Sequence, residues 1–151
     1  MSIIVRDDGF HDDNLAAATE AGAYLLVPLE EVKAANRAKV EAPFGVIVDN
    51  ATPAAELVDV FDRADTIHIP FPSFADGRGF SLARQLRALG YQGRLRAVGH
   101  VIPDQYPMAR RCGFDEVEIS DDLAKRAPQD QWLARSDWDR TSYQDVVGRA
   151  V

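Results

Sequence analysis

The sequence predicts an α/β fold of parallel βα repeats, and three features of its 151 residues carry that prediction. From about residue 45, short β-type runs alternate with helical patterns, the order that parallel βα units impose. Three of those runs alternate polar with apolar residues, so one face of the sheet is polar. Ahead of them, residues 3–6 run into an Asp8-Gly9 turn, which predicts a short N-terminal β extension. Two architectures satisfy all three features. One is half of a (βα)8-barrel with helices outside a polar inner face. The other is a flavodoxin-like open sheet whose polar face meets the N-terminal segment or a second subunit.

The elements follow in order. The apolar run 23–27 either pairs with the N-terminal extension or opens the parallel sheet, with a helix over 29–42 as crossover; the second is preferred. Residues 45–48 read as a strand. Thr52 then serves as a helix N-cap with Pro53 at the first helical position, and Leu57, Val58, Val60 and Phe61 share the apolar side. Residues 66–71 form the next strand, followed by a helix over 80–89 with Leu82, Ala83 and Leu86 at helical spacing and Gly90 as its stop. Residues 95–98 are a strand, and the helix after Pro103 carries Tyr106, Met108 and Ala109 and ends at Gly113-Phe114. Residues 116–119 close the series, with Ser120 or Asp121 capping a further helix. The whole chain reads as one domain, 1–151: a β extension over 1–22, a βα core over 23–127 and a polar tail over 128–151. Trp132, Trp138 and Tyr143 predict that this tail wraps the body or a partner.

Strand parity places Thr66 and His68 opposite Ile67 and Ile69, Arg94 and Arg96 opposite Leu95 and Ala97, and Glu116 and Glu118 opposite Val117 and Ile119. A parallel sheet covered on both faces by apolar helices reads instead as unbroken apolar runs. If the last two strands are neighbours, Arg96 and Glu118 pair across the ladder. Together with Trp138 they form the candidate interface of a homodimer.

A balance of 17 basic against 24 acidic residues, net −7, opposes non-specific binding to nucleic acid. The longest apolar runs fall far short of the roughly 20 residues of a membrane-spanning helix. The amino terminus lacks signal-peptide character, so the expected location is cytoplasmic. The single cysteine, Cys112, excludes an intrachain disulfide or cysteine-built metal site and reads as a packing residue. No metal site and no cofactor motif is evident. His11, among Asp12 and Asp13, stands in too local an acidic turn for a specific metal centre.

In βα folds, sites form beyond the carboxyl ends of the strands. Those ends offer Asp49 and Asn50, then the loop Asp76-Gly77-Arg78-Gly79-Phe80-Ser81, then His100 and Asp104. Gly77 and Gly79 let a ligand approach backbone, Arg78 offers a bidentate anion clamp, and Ser81 adds a hydroxyl. The spacing matches neither a P-loop nor a dinucleotide fingerprint. Asp76 and His100 are the candidate catalytic pair, and Asp49, Asn50, Gly77, Arg78, Gly79, Ser81 and Asp104 the candidate ligand-binding set. His68 reads as a member of the polar-face network.

Several blocks occur in a characteristic order: Ile69-Pro70, then residues 76–83, then Gly93-Arg94-Leu95-Arg96-Ala97-Val98-Gly99, then Asp104-Gln105 and Arg111-Cys112-Gly113-Phe114-Asp115. With the Asp-Gly turn and Leu26-Val27-Pro28, the sequence resembles the bacterial family named domain of unknown function 934 (DUF934) over most of its length. It departs from that pattern at His100 and Pro103. The family is described as oxidoreductases of sulfite reduction, a label resting on gene association. The resemblance therefore implies a place in assimilatory sulfur metabolism beside a sulfite reductase or its electron donor, and supplies no catalytic residues. Three functions are expected to compete. The first is an accessory protein or oxidoreductase of sulfite reduction that binds a small anion or redox partner through the strand-end loops. The second is a non-catalytic dimeric scaffold, and the third a small acid/base lyase or isomerase using Asp76 and His100.

Overall fold

Residues that alternate in the sequence alternate between two faces of one sheet in a computed structural model, which describes residues 2–34 and 43–139. The strands are β1 (Ser2–Arg6), β2 (Gly9–Asp12), β3 (Leu25–Pro28), β4 (Phe44–Ile47), β5 (Ala64–Phe71), β6 (Arg94–Gly99) and β7 (Glu116–Ser120). They form an open seven-stranded sheet in the order β2-β1-β7-β6-β5-β4-β3. Strands β3 to β7 are parallel, and the β1–β2 hairpin joins β7 antiparallel. The expected N-terminal β extension and the assignment of the 23–27 run to the parallel sheet both hold. The parallel strands stand in chain order, without the reversal of a flavodoxin-like winding. Right-handed crossovers in that order place successive helices on one face.

That face holds the core. Helices α3 (Arg78–Ala88) and α4 (Tyr106–Cys112) pack together, and α3 also meets a 3-10 helix over Ala54–Val60. Beneath them Ile67, Ile69, Leu95, Ala97, Val117 and Ile119 are at most 1% exposed. Burying an aliphatic side chain of this size contributes about 1.5–3 kcal/mol. Helix α2 (Leu29–Ala34) begins the predicted 29–42 crossover, whose remainder, 35–42, lies outside the described residues.

The opposite face is covered differently. Helix α1 (Asn14–Glu20) lies in the connection from β2, at one edge of the sheet, to β3, at the other. Before it, Asp13 accepts from the Ala16 N–H and reaches across to Arg96; after it, the Tyr24 hydroxyl sits 3.1 Å from Thr66 Oγ1. Segment 13–24 is thus a strap over the polar strand positions. Arg96, Glu116, His68 and Thr66 beneath it are at most 4% exposed.

Stops and caps largely match the sequence reading. Gly90 and Gly113 take left-handed φ values of 106° and 111°, and each lets the next residue bond back into its helix: Tyr91 N–H to the Leu86 carbonyl, Phe114 N–H to that of Ala109. Ser120 Oγ caps α5 (Asp121–Arg126) by accepting from Leu123 N–H. The helix expected after Thr52 is the exception. It is 3-10, flanked by Pro53 with no side-chain cap, and its three residues per turn align Ala54, Leu57 and Val60 as the buried set. Val58, which α-helical spacing places inside, is 44% exposed. Met108 also faces out while Tyr106 and Ala109 are buried. The tail folds back as α6 (Gln129–Leu133): Trp132 is buried edge-on against Tyr106, and Trp138 Nε1 donates to Asp7 with the Arg110 guanidinium over its ring. Tyr143 lies outside the described residues.

Candidate functional site

At the carboxyl edge of the sheet, the loops after β4 and β5 come together. Asp49 Oδ1 accepts from the Ala51 N–H at 2.8 Å, an Asx turn that shapes the first loop. It also turns Asn50 inward, where Nδ2 donates to Asp76 Oδ2 at 3.0 Å. Asp76 in turn receives three bonds from Arg78, the first residue of α3: the backbone N–H and Nε reach Oδ1 at 3.2 and 3.0 Å, and Nη2 reaches Oδ2 at 2.8 Å. Asn50, Thr52, Arg78, Ser81 and Gln85 line a cleft of about 250 Å³. Three predicted ligand residues, Asn50, Arg78 and Ser81, therefore share one cavity, with Asp76 bracing the first two.

The same bonds shape the electrostatics. Arg78, and then Asn50, hold the Asp76 carboxyl well below the usual carboxylate range. A carboxylate so stabilised stays ionised and is a weak proton acceptor. The two glycines serve different ends. Gly79 is buried against β5, where a Cβ would sit 2.6 Å from Phe71 Cζ; its role is close packing of α3 on the sheet, not ligand approach. Gly77 is exposed, and a Cβ there would make an ordinary contact with Phe80 Cδ2 at 3.8 Å, so it keeps the backbone access expected of it.

The third loop stands apart. His100 Nδ1 lies 3.2 Å from the Phe71 carbonyl and its ring packs edge-on against Phe74, so its contacts differ wholly from those of Asp76. Gln105 ties this loop to the second by donating to the Phe74 carbonyl at 2.9 Å. Asp104 accepts from Arg135 at 2.6 Å and lines a separate cleft of about 390 Å³ with Phe74, Ile102, Leu123 and Arg126.

On the strapped face, Arg96 Nε donates to Glu116 Oε2 at 2.6 Å, and Nη1 donates to Glu118 Oε1 at 2.9 Å and Asp13 Oδ1 at 3.0 Å. The cross-ladder pair of Arg96 with Glu118 forms, with Glu116 and Asp13 added. Arg96 is 1% exposed, so with all three partners inside the chain it offers no open surface to a second subunit, as the interface reading required. Trp138 is likewise occupied on Asp7, Arg110 and Arg111. His68 shares this face but its Nε2 is buried without a hydrogen-bond partner; burial, then the nearby Arg96 charge, pushes its pKa down to about 3.

The sequence reading missed the amino edge. There a cleft of about 410 Å³ is lined by Arg6, Asp65, Gln92, Gly93, Arg94, Asp115 and Glu116. The charge alternation of Arg94, Arg96 and Glu116 is the one signal that pointed toward it.

A family model described as "Bacterial protein of unknown function (DUF934)" matches residues 45–150, which bears out the resemblance read from the sequence. The matched range begins within β4 and takes in all three strand-end loops; the Asp8-Gly9 turn and residues 26–28 precede it. No curated protein matches the chain.

Proposed function

We propose, from the premise that this chain belongs to the DUF934 family of bacterial proteins of unknown function, that it acts as a binding accessory of assimilatory sulfite reduction. In this reading it holds a small oxyanion of the sulfite class in the cleft between the loops after β4 and β5. The pathway rests on the description attached to the family resemblance. The site rests on one observation: Asn50, Arg78 and Ser81 line a single cleft, with Arg78 held in place by Asp76 and still 62% exposed along its side chain. A fixed guanidinium beside a hydroxyl and a helix start suits an oxyanion. Binding is favoured over acid–base turnover, because the ion pair with Arg78 keeps Asp76 ionised and His100 makes its contacts elsewhere. Any electrons would then come from the sulfite reductase system.

Complementation of sulfite-dependent growth tests this reading. Arg78→Ala is expected to abolish complementation while leaving the urea unfolding midpoint unchanged, and calorimetry with sulfite should lose its saturable signal in the same variant. Full complementation by Arg78→Ala, with loss only in Trp138→Ala, would replace the reading with the scaffold.

A further inference from the structure

We propose that the amino edge of the sheet carries a second anion site, in which Arg6 and Arg94 together grip a dianionic tetrahedral group of the phosphate or sulfate type. The site arises from strand direction. Strands β6 and β7 begin at this edge, which brings Arg94 and Glu116 there, while β1 runs antiparallel to β7 and so ends there at Arg6. Residues remote in sequence thus meet around one carboxylate.

Glu116 is 1% exposed and organises three arginines. Its Oε2 accepts from Arg96 on the strapped face; its Oε1 faces the cleft, 3.2 Å from Arg6 Nε and 3.8 Å from Arg94 Nε. Arg6 is therefore oriented by a hydrogen bond through Nε, the inner corner of the guanidinium, while Arg94 stands at ion-pair distance. Among the described residues no hydrogen bond engages the Nη1 or Nη2 atoms of either, and their side chains are 37% and 43% exposed. Two planar forks with open outer edges, anchored on one buried carboxylate, match the oxygens of a dianion.

Two further carboxylates line the cleft, and of these Asp65 is the one that opposes an anion. Asp115 Oδ2 is occupied by Arg87 Nη2 and the Leu95 N–H, both at 2.9 Å. Asp65 receives one long bond from the Tyr24 hydroxyl at 3.4 Å. Gln92 adds an amide to the lining, and Gly93 packs closely against Tyr91 beside it. At about 410 Å³ the cleft exceeds what one inorganic oxyanion fills, so the same chemistry has two sources: the free ion, or the ester group of a small molecule.

The test uses the full chain, titrated by calorimetry and amide NMR with inorganic phosphate, inorganic sulfate and adenosine 5′-monophosphate as an ester probe. At least one probe is expected to saturate, shifting the Gln92 and Gly93 amides. Arg94→Gln and Arg6→Gln should each raise its Kd about ten-fold or more, the equivalent of about 1.4 kcal/mol, whereas Arg78→Ala leaves it unchanged. Arg94→Lys, which keeps the charge and loses the fork, should weaken binding less than Arg94→Gln and covers the case of a poorly folding glutamine variant. Tighter binding of the nucleotide than of phosphate identifies an ester ligand; equal binding identifies the free ion. Absence of a saturable shift of the Gln92 and Gly93 amides with all three probes would overturn the proposal, as would a shift there that survives the Arg6→Gln, Arg94→Gln double variant or vanishes with Arg78→Ala.

Discussion

The two edges of the sheet handle an arginine and a carboxylate in opposite ways. At the carboxyl edge Asp76, its side chain 15% exposed, takes both Nε and Nη2 of Arg78. At the amino edge Glu116 is buried, accepts from Arg6 Nε at 3.2 Å and lies 3.8 Å from Arg94 Nε. Asp76 closes on its arginine; Glu116 leaves the outer edges of two arginines open toward the cleft. The contrast teaches that a carboxylate can brace one arginine in place or aim two others outward, and that residue type alone does not say which.

The largest test removes the shared anchor. Arg96→Met leaves Glu116, Glu118 and Asp13 clustered without their common cation, and loss of one member of a buried ion pair costs about 3–5 kcal/mol. Urea denaturation should show that loss; a change below about 1 kcal/mol would mean that this face is not the rigid frame from which Arg6 and Arg94 are aimed. Gly79→Ala probes the carboxyl edge, because the new methyl meets the Phe71 ring where α3 rests on β5. Overpacking of this kind costs about 1–3 kcal/mol, and thermal melts should register it while the cleft of the adjoining Arg78 shifts and loses affinity.

These two substitutions also mark what the sequence made legible. Strand parity is written in period-two alternation, so Arg96 facing Glu118, and the polar face itself, could be read directly. The carboxyl-edge cleft was legible because its residues sit in loops beside predicted strands. Gly79 was misread because the same residue type serves ligand approach and close packing, and only the position of Phe71 decides between them. The 3-10 helix escaped because Ala54, Leu57 and Val60 recur at three, a spacing that α-helical reading assigns differently. The amino-edge cleft was invisible for a topological reason: nothing local says that Arg6 will end beside Glu116, since that follows from β1 pairing with the last strand.

A pH scan sharpens the comparison from the face that joins the two edges. His68 titrates near 3 in the folded chain against an ordinary value near 6.5, so between those limits the unfolded state binds the extra proton. Stability is therefore full above pH 6.5 and falls as pH drops toward 3, by at most about 1.4 kcal/mol per pH unit. Arg96 and Arg94 add to the downward shift and Asp13 opposes it. Between pH 6.5 and 5, a His68→Asn variant should show a flatter profile by urea denaturation; an identical slope would mean that another group carries the dependence. The smallest effect is expected for Asp76→Asn. Its pair with the largely exposed Arg78 is partly solvent-screened, so the urea midpoint should shift little, while Arg78 loses its brace and binds sulfite more weakly in calorimetry. Unchanged affinity would show that Arg78 needs no brace, and the contrast between the edges would fail.

The place of β1 in the sheet has a consequence for how the chain is made. Beyond its hairpin partner β2, β1 pairs with β7, which emerges only after β3 to β6, so the hairpin has no sheet to join until β7 has been made. Units β3 to β6 can assemble from near neighbours in sequence, whereas the hairpin and the strap behind it must wait, with their closure entropy still to be overcome. Until then the buried charges of β6 and β7 face water and the arginine cleft is missing one wall. Arrival of β1 is the step that turns a row of βα units into this protein, and ligand binding at the amino edge would report that it has happened.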